Sequence, residues 1–224
     1  MSDTTSRYAN ILAQIREAAD ATGRQPPRLL AVSKAKPALA IRELATQGQR
    51  AFGENYLQEA LEKQRELHDL DLEWHFIGHL QSRKCADIAA HFDWLQSLDR
   101  AKLIARLDEA RDPARGPLNV LLQVNIDAEA SKSGCAVDEI HALADAVAAC
   151  ANLRLRGLMA IPAPGDPERL RASFARLRER FESLQEQHPG VDTLSMGMSD
   201  DFPLAIAEGA TLLRIGSALF GPRG

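Results

Sequence analysis

Short apolar runs alternate with longer amphipathic stretches along almost the whole chain. The runs at residues 29–34, 50–53, 74–78, 94–98, 119–126, 154–159, 191–196 and 212–215 predict strands, and their near-continuous apolarity suits strands covered on both faces. Between them, residues 38–47, 56–68, 82–91, 100–111, 137–150, 167–187 and 202–208 are rich in strong helix formers, with Gly or Pro at many of the breaks. Ahead of the first strand, Ile11, Leu12, Ile15, Ala18 and Ala19 recur at helical spacing and predict an opening amphipathic helix.

Strand followed by helix, repeated, implies parallel strands joined by helical crossovers. Eight such units are the number that closes a barrel. The rival is an open, doubly wound sheet, which commonly carries a glycine-rich turn after its first strand. Here that strand runs into Val32-Ser33-Lys34-Ala35-Lys36-Pro37, without a glycine. The expectation is an α/β protein, a single TIM-type (β/α)8 barrel with an extra N-terminal helix. No linker-like segment divides the chain, so one domain spanning 1–224 is expected.

Composition narrows the function classes. Apolar residues make up 45% and charged residues 26%, values of an ordinary globular protein. A net charge of -4 speaks against nucleic acid as the partner, because phosphate-backbone binding calls for a basic face. Cys85, Cys135 and Cys150 form neither a CxxC pair nor a metal-ligand spacing and read as reduced, buried thiols. Sparse, odd cysteines fit a cytoplasmic location better than a disulfide framework. The first residues hold no apolar run of the kind a secretory signal needs, and nothing is long enough to cross a bilayer.

The chemistry gathers at the two ends. Lys34 directly follows the apolar run Leu29-Leu30-Ala31-Val32, at the strand end where barrel active sites collect. Two readings stand for it: a side chain snorkelling from the barrel rim, or a desolvated amine poised to form a Schiff base. Lys36 and Lys132 are candidate neighbouring cations that would lower its pKa. At the other end, Ser195-Met196-Gly197-Met198-Ser199 follows the seventh strand, and Arg214-Ile215-Gly216-Ser217 closes the eighth. Barrels often bind phosphate with these loops, through backbone N–H groups at a short helix start. Gly216 permits close backbone approach, Ser217 offers an N–H and a hydroxyl, and Ser199 offers a further hydroxyl. In a closed barrel the first and eighth strands are neighbours, so the two ends together suggest a site for a phosphorylated aldehyde.

These segments resemble the pyridoxal 5'-phosphate (PLP) homeostasis proteins, also called PLP-binding proteins, which are related to the barrel domain of alanine racemase. The likeness is carried by residues 29–37, by Phe52-Gly53-Glu54-Asn55-Tyr56, by residues 74–82, by Ser131-Lys132-Ser133-Gly134, by residues 157–162 and by the stretch from Ser195 through Gly221. The resemblance implies that Lys34 is the Schiff-base lysine, and that Ser199 holds the phosphate with the backbone of Gly216 and Ser217. It also implies that Arg214 faces the pyridine nitrogen and that Asn55 lies near the ring. Arg83, Cys135 and Pro203 depart from the family pattern, outside that set.

The role implied is holding PLP and serving its intracellular homeostasis. PLP itself, PLP-dependent apoenzymes and amino acids would be the partners, and the chain would act as a monomer. Efficient catalysis is not expected. PLP works best as an electron sink when its ring nitrogen is protonated, and a guanidinium cannot accept that proton. The related racemases draw a second base, a tyrosine, from an additional domain that this chain is expected to lack. Its tyrosines are Tyr8 and Tyr56, and Tyr56 reads as a packed first-turn helix residue rather than a base.

Three alternatives stand beside this reading: a PLP-dependent amino-acid racemase, with Lys36, Lys132 and Tyr56 as candidates for its second acid or base, a Schiff-base aldolase acting on a sugar phosphate, and a metal hydrolase. For the last, His75 and His79 stand four residues apart, but residues 74–78 read as a strand, so the two side chains need not share a face, and core or rim positions are expected rather than a metal site. Lys63, Arg65 and the charge run at 169–180 read as solvated helix faces.

Overall fold

In the computed structural model, which describes residues 3–221, eight parallel strands pair in chain order and β8 returns to β1, closing a barrel. The strands are β1 (Arg28–Val32), β2 (Ala51–Glu54), β3 (Glu73–Phe76), β4 (Trp94–Leu98), β5 (Leu118–Gln123), β6 (Leu153–Met159), β7 (Thr193–Ser195) and β8 (Leu212–Ile215). Around them lie the helices α1 (Asp3–Thr22), α2 (Ala38–Thr46), α3 (Leu57–Glu66), α4 (Cys85–His91), α5 (Ile104–Ala110), α6 (Ile140–Ala148), α7 (Pro167–Gln187), α8 (Phe202–Ala207) and α9 (Ser217–Phe220). This is a TIM-type (β/α)8 barrel with a helix ahead of its first strand. Closure rules out the open sheet.

Tyr8, Ile11, Ile15 and Ala19 form the buried stripe of α1, which packs on α2, α8 and α9 beside the seam where β8 meets β1. There Leu30 stands opposite Arg214, and Ala31 opposite Ile215. That pairing brings the two chemically loaded chain ends together. Between barrel and helices, Phe52, Phe76, Phe92 and Phe174 fill the main core with the aliphatic faces of the helices.

The sequence expectations need several corrections. The first strand ends at Val32, so Lys34 lies in the following turn rather than in the strand. The fifth ends at Gln123 rather than 126, because Val124 makes only an isolated bridge to Cys135. Three expected helices begin as tight 3-10 turns, at Ser82–Lys84, Ala101–Leu103 and Val137–Glu139. Tyr56 is not packed: it is the 60% exposed residue just before α3. Lys63 is not solvated but only 5% exposed.

Candidate cofactor site

Backbone geometry places Lys34. The chain leaves β1 through Ser33 and turns at Ala35, whose φ of 58° lies in the left-handed region that few non-glycine residues adopt. A buried ionic cluster holds this turn. Lys63 Nζ on α3 donates to the Ser33 carbonyl at 2.8 Å, to Glu54 Oε1 at 2.7 Å and to Glu59 Oε1 at 2.5 Å. Ser33 Oγ donates to Glu54 Oε1, and the Ala35 N–H donates to Glu59 Oε1, each at 2.6 Å. Burial raises the Glu54 pKa, against the pull of Lys63. The side chains of Ser33 and Glu54 serve this outer cluster, while their successors Lys34 and Asn55 line a cavity at the barrel mouth.

That cavity, about 250 Å³, is lined by Lys34, Asn55, Ser199, Arg214, Gly216 and Ser217, together with Lys36, Asp200 and several apolar groups. Its size is close to the lower end of small-molecule sites, roughly 300–1,000 Å³. Lys132, the other candidate cation, is not among the lining residues. The same lining includes a pole of donors. Ser217 Oγ donates to Ser199 Oγ at 3.1 Å, and the Ala218 N–H donates to the same oxygen at 3.3 Å. The Leu219 and Phe220 N–H groups of α9 donate to the Gly216 carbonyl, whereas those of Ser217 and Ala218 have no acceptor inside the helix. Gly197, at φ 91°, is required in the turn ahead of Ser199, since a Cβ there would come 2.6 Å from that of Ala205.

Arg214 projects from β8 and is buried. Its Nη1 donates to Ser195 Oγ at 2.7 Å and its Nη2 to the Ala160 carbonyl at 2.8 Å. Burial lowers its pKa to about 10, opposed by Asp201, so the guanidinium stays charged at neutral pH. Asn55 Oδ1 is buried without a hydrogen-bond partner among the described residues. An orphaned acceptor, an amine, a buried guanidinium and a hydroxyl-lined pole in one small cavity fit a phosphorylated pyridine aldehyde. Lys34 would take the aldehyde, Ser199 and the Gly216–Ser217 turn the phosphate, and Arg214 and Asn55 the ring.

Beneath the cavity the lumen is polar, a feature sequence reading missed. Ser195 Oγ donates across the barrel to Gln96 Oε1 at 2.7 Å, Gln96 Nε2 bonds His75 Nδ1 at 2.8 Å, and His75 Nε2 bonds Glu73 Oε1 at 2.7 Å. Glu73 also pairs with Arg28 at 2.7 Å. The His75 ring stacks on Trp94, centroids 5.1 Å apart. His79, by contrast, is exposed, and no group able to hold a metal exists among the described residues. Cys85 and Cys135 are buried free thiols, and Cys135 is pushed up to about 12 by burial.

Burial also holds the His75 pKa below its ordinary value, against the pull of Glu73, so the ring is neutral. Below pH of about 6.5 the unfolded imidazole gains a proton that the folded ring resists. Stability therefore falls as pH drops through this range, by up to about 1.4 kcal/mol per pH unit for one proton. Urea denaturation between pH of about 5 and 7 should show that slope, and His75→Gln should flatten it.

The closed barrel and the placement of this cavity define the class: a (β/α)8 barrel with a candidate ligand site at its mouth. A family model described as alanine racemase, N-terminal domain, matches residues 7–224. A pyridoxal phosphate homeostasis protein from Pseudomonas aeruginosa is 58% identical over 100% of this chain and 97% of its own length. The protein of that name from Escherichia coli K12 is 49% identical over 100% and 98%. PipY of Synechococcus elongatus, solved with PLP bound, superposes with a TM-score of 0.86 at 39% identity, covering 98% of this chain and 100% of PipY. The chain belongs to the pyridoxal phosphate homeostasis protein family.

Proposed function

We propose that this protein binds PLP as a Schiff base on Lys34 and acts in intracellular PLP homeostasis, as a carrier without efficient catalysis. One observation carries the reading: Lys34 and the Ser199–Gly216–Ser217 pole line the same small cavity, within the fold of a relative solved with PLP. Bound PLP supplies a reactive aldehyde and an electron-withdrawing ring. The chain's part is to orient both. Lys34 meets the aldehyde, the serine hydroxyls and α9 N–H groups meet the phosphate, and Arg214 donates toward the ring nitrogen.

A charged guanidinium in that place leaves the nitrogen unprotonated, which disfavours carbanion chemistry. The related racemases tolerate that arrangement by supplying two bases, so the group that discriminates is a second acid or base opposite Lys34. Neither Tyr8 nor Tyr56, the chain's two tyrosines, lines the cavity, which favours the carrier over a racemase with a tyrosine base; besides Lys34 and Arg214, Lys36 and Asp200 are the other titratable groups in the lining. The proposal extends to one PLP-binding domain spanning 1–224, working as a cytoplasmic monomer that passes PLP to PLP-dependent apoenzymes, with amino acids as further ligands. No helix among the described residues is long and apolar enough to cross a membrane.

The test is reconstitution with PLP, followed by borohydride reduction and peptide mapping. A coloured imine band and a reduced pyridoxyl group on the Lys34 peptide are expected; a colourless protein with no modified peptide refutes the reading. Rapid loss of the α-deuterium from labelled amino acids would overturn its non-catalytic half.

A further inference from the structure

TIM-barrel lumens are normally packed with branched apolar side chains. Here the middle of the lumen holds His75, Gln96, Ser195 and Arg214, all buried, flanked by small separate apolar clusters around Leu30 and around Trp94. Burying such polar groups is costly unless each is hydrogen-bonded, and these are bonded in one continuous series. The series has a direction. Glu73 is held ionised by His75 and Arg28, so it accepts, and His75 must carry its proton on Nε2. Nδ1 of the neutral ring is then an acceptor, which turns the Gln96 amide nitrogen toward it. The Gln96 carbonyl consequently faces β7 and takes the Ser195 proton. That leaves the Ser195 lone pairs for Arg214, which can only donate.

We infer that Gln96 is a positioning residue for Arg214: with His75 and Glu73 fixing its amide orientation, it makes Ser195 an acceptor and so holds the Arg214 guanidinium in place at the floor of the cavity. Asp93 and Arg28 are the other charged groups acting on His75, and Trp94 covers its face. The role proposed for Arg214 toward the ring nitrogen rests on the PLP reading above, but the orientation of Arg214 does not, so the decisive measurements use the protein without PLP.

Two variants separate the halves of the chain. Gln96→Met keeps the length and loses both polar ends. In protein labelled with nitrogen-15 arginine, the Arg214 Nε–H should exchange with solvent at least about ten-fold faster than in the parent, a signature of a freed guanidinium. Gln96→Glu still accepts from Ser195 but offers His75 no donor. Arg214 exchange should then stay near the parent value, while nitrogen-15 shifts show His75 passing from the neutral Nε2–H form to the doubly protonated ring at neutral pH. Ser195→Ala, a smaller change, should reproduce the Arg214 effect if Gln96→Met fails to fold. With PLP added, Gln96→Met should shift the absorbance maximum of the bound cofactor. Unchanged Arg214 exchange in folded Gln96→Met, or in Ser195→Ala where Gln96→Met does not fold, or a parent His75 protonated on Nδ1, overturns the proposal. Failure of the parent to bind PLP would sink the functional reading and leave these readouts intact.

Discussion

Lys34→Ala should abolish the imine absorbance band completely while leaving a weaker, non-covalent site for PLP. In the proposed arrangement the Lys34 amine forms the covalent bond, and the other contacts are hydrogen bonds and charge. Ser199 and Ser217, the first-turn N–H groups of α9 and Arg214 remain in the variant, so the phosphate and ring keep their partners. Equilibrium dialysis should find affinity reduced by about 100-fold or more, corresponding to roughly 3 kcal/mol. Ser199→Ala gives the opposite pattern: the band persists, and affinity falls by about ten-fold, the worth of one hydrogen bond to a charged group. An undiminished band in Lys34→Ala would transfer the chemistry to Lys36, the other lysine lining the cavity.

The outline of this site was legible in the sequence because its signals are local. Apolar runs with a regular helical rhythm between them define the barrel, and barrel closure forces the end of β1 beside the end of β8. Lys34, Gly216 and Ser217 could therefore be brought together from their order alone. The supporting structure was not legible, for a physical reason. His75 sits in the apolar run Trp74-His75-Phe76, where nothing local reveals that its ring faces the lumen and meets Gln96 and Glu73. The Ser195–Gln96 bond joins residues 99 positions apart across the barrel. Lys63 misled most directly. Glu59 four residues earlier makes the familiar pattern of a solvated helix pair, and only the packing of α3 on β2 shows that the lysine points inward.

Lys63→Met should have a large effect on stability, and its pH dependence distinguishes the cause. Lys63 is the shared cation for Glu54, which is fully buried, and for Glu59. Removing one partner of a buried pair leaves an uncompensated charge and costs about 3–5 kcal/mol. Methionine fills the stem volume, so little of that loss arises from a cavity. Glu54 already has a pKa raised by burial, and without Lys63 it rises further. A carboxyl whose folded pKa lies above its unfolded value binds more protons when folded, so the variant loses stability as pH rises through that interval. The deficit should therefore be greatest near pH of about 8 and smaller near pH of about 5. Adding Glu54→Gln to Lys63→Met should recover much of the loss, because both charges are then gone. The Ser33 carbonyl also loses its donor in Lys63→Met, loosening the turn that presents Lys34. Imine formation should slow in the single variant and remain slow in the double, which separates the electrostatic contribution of Lys63 from its grip on the turn.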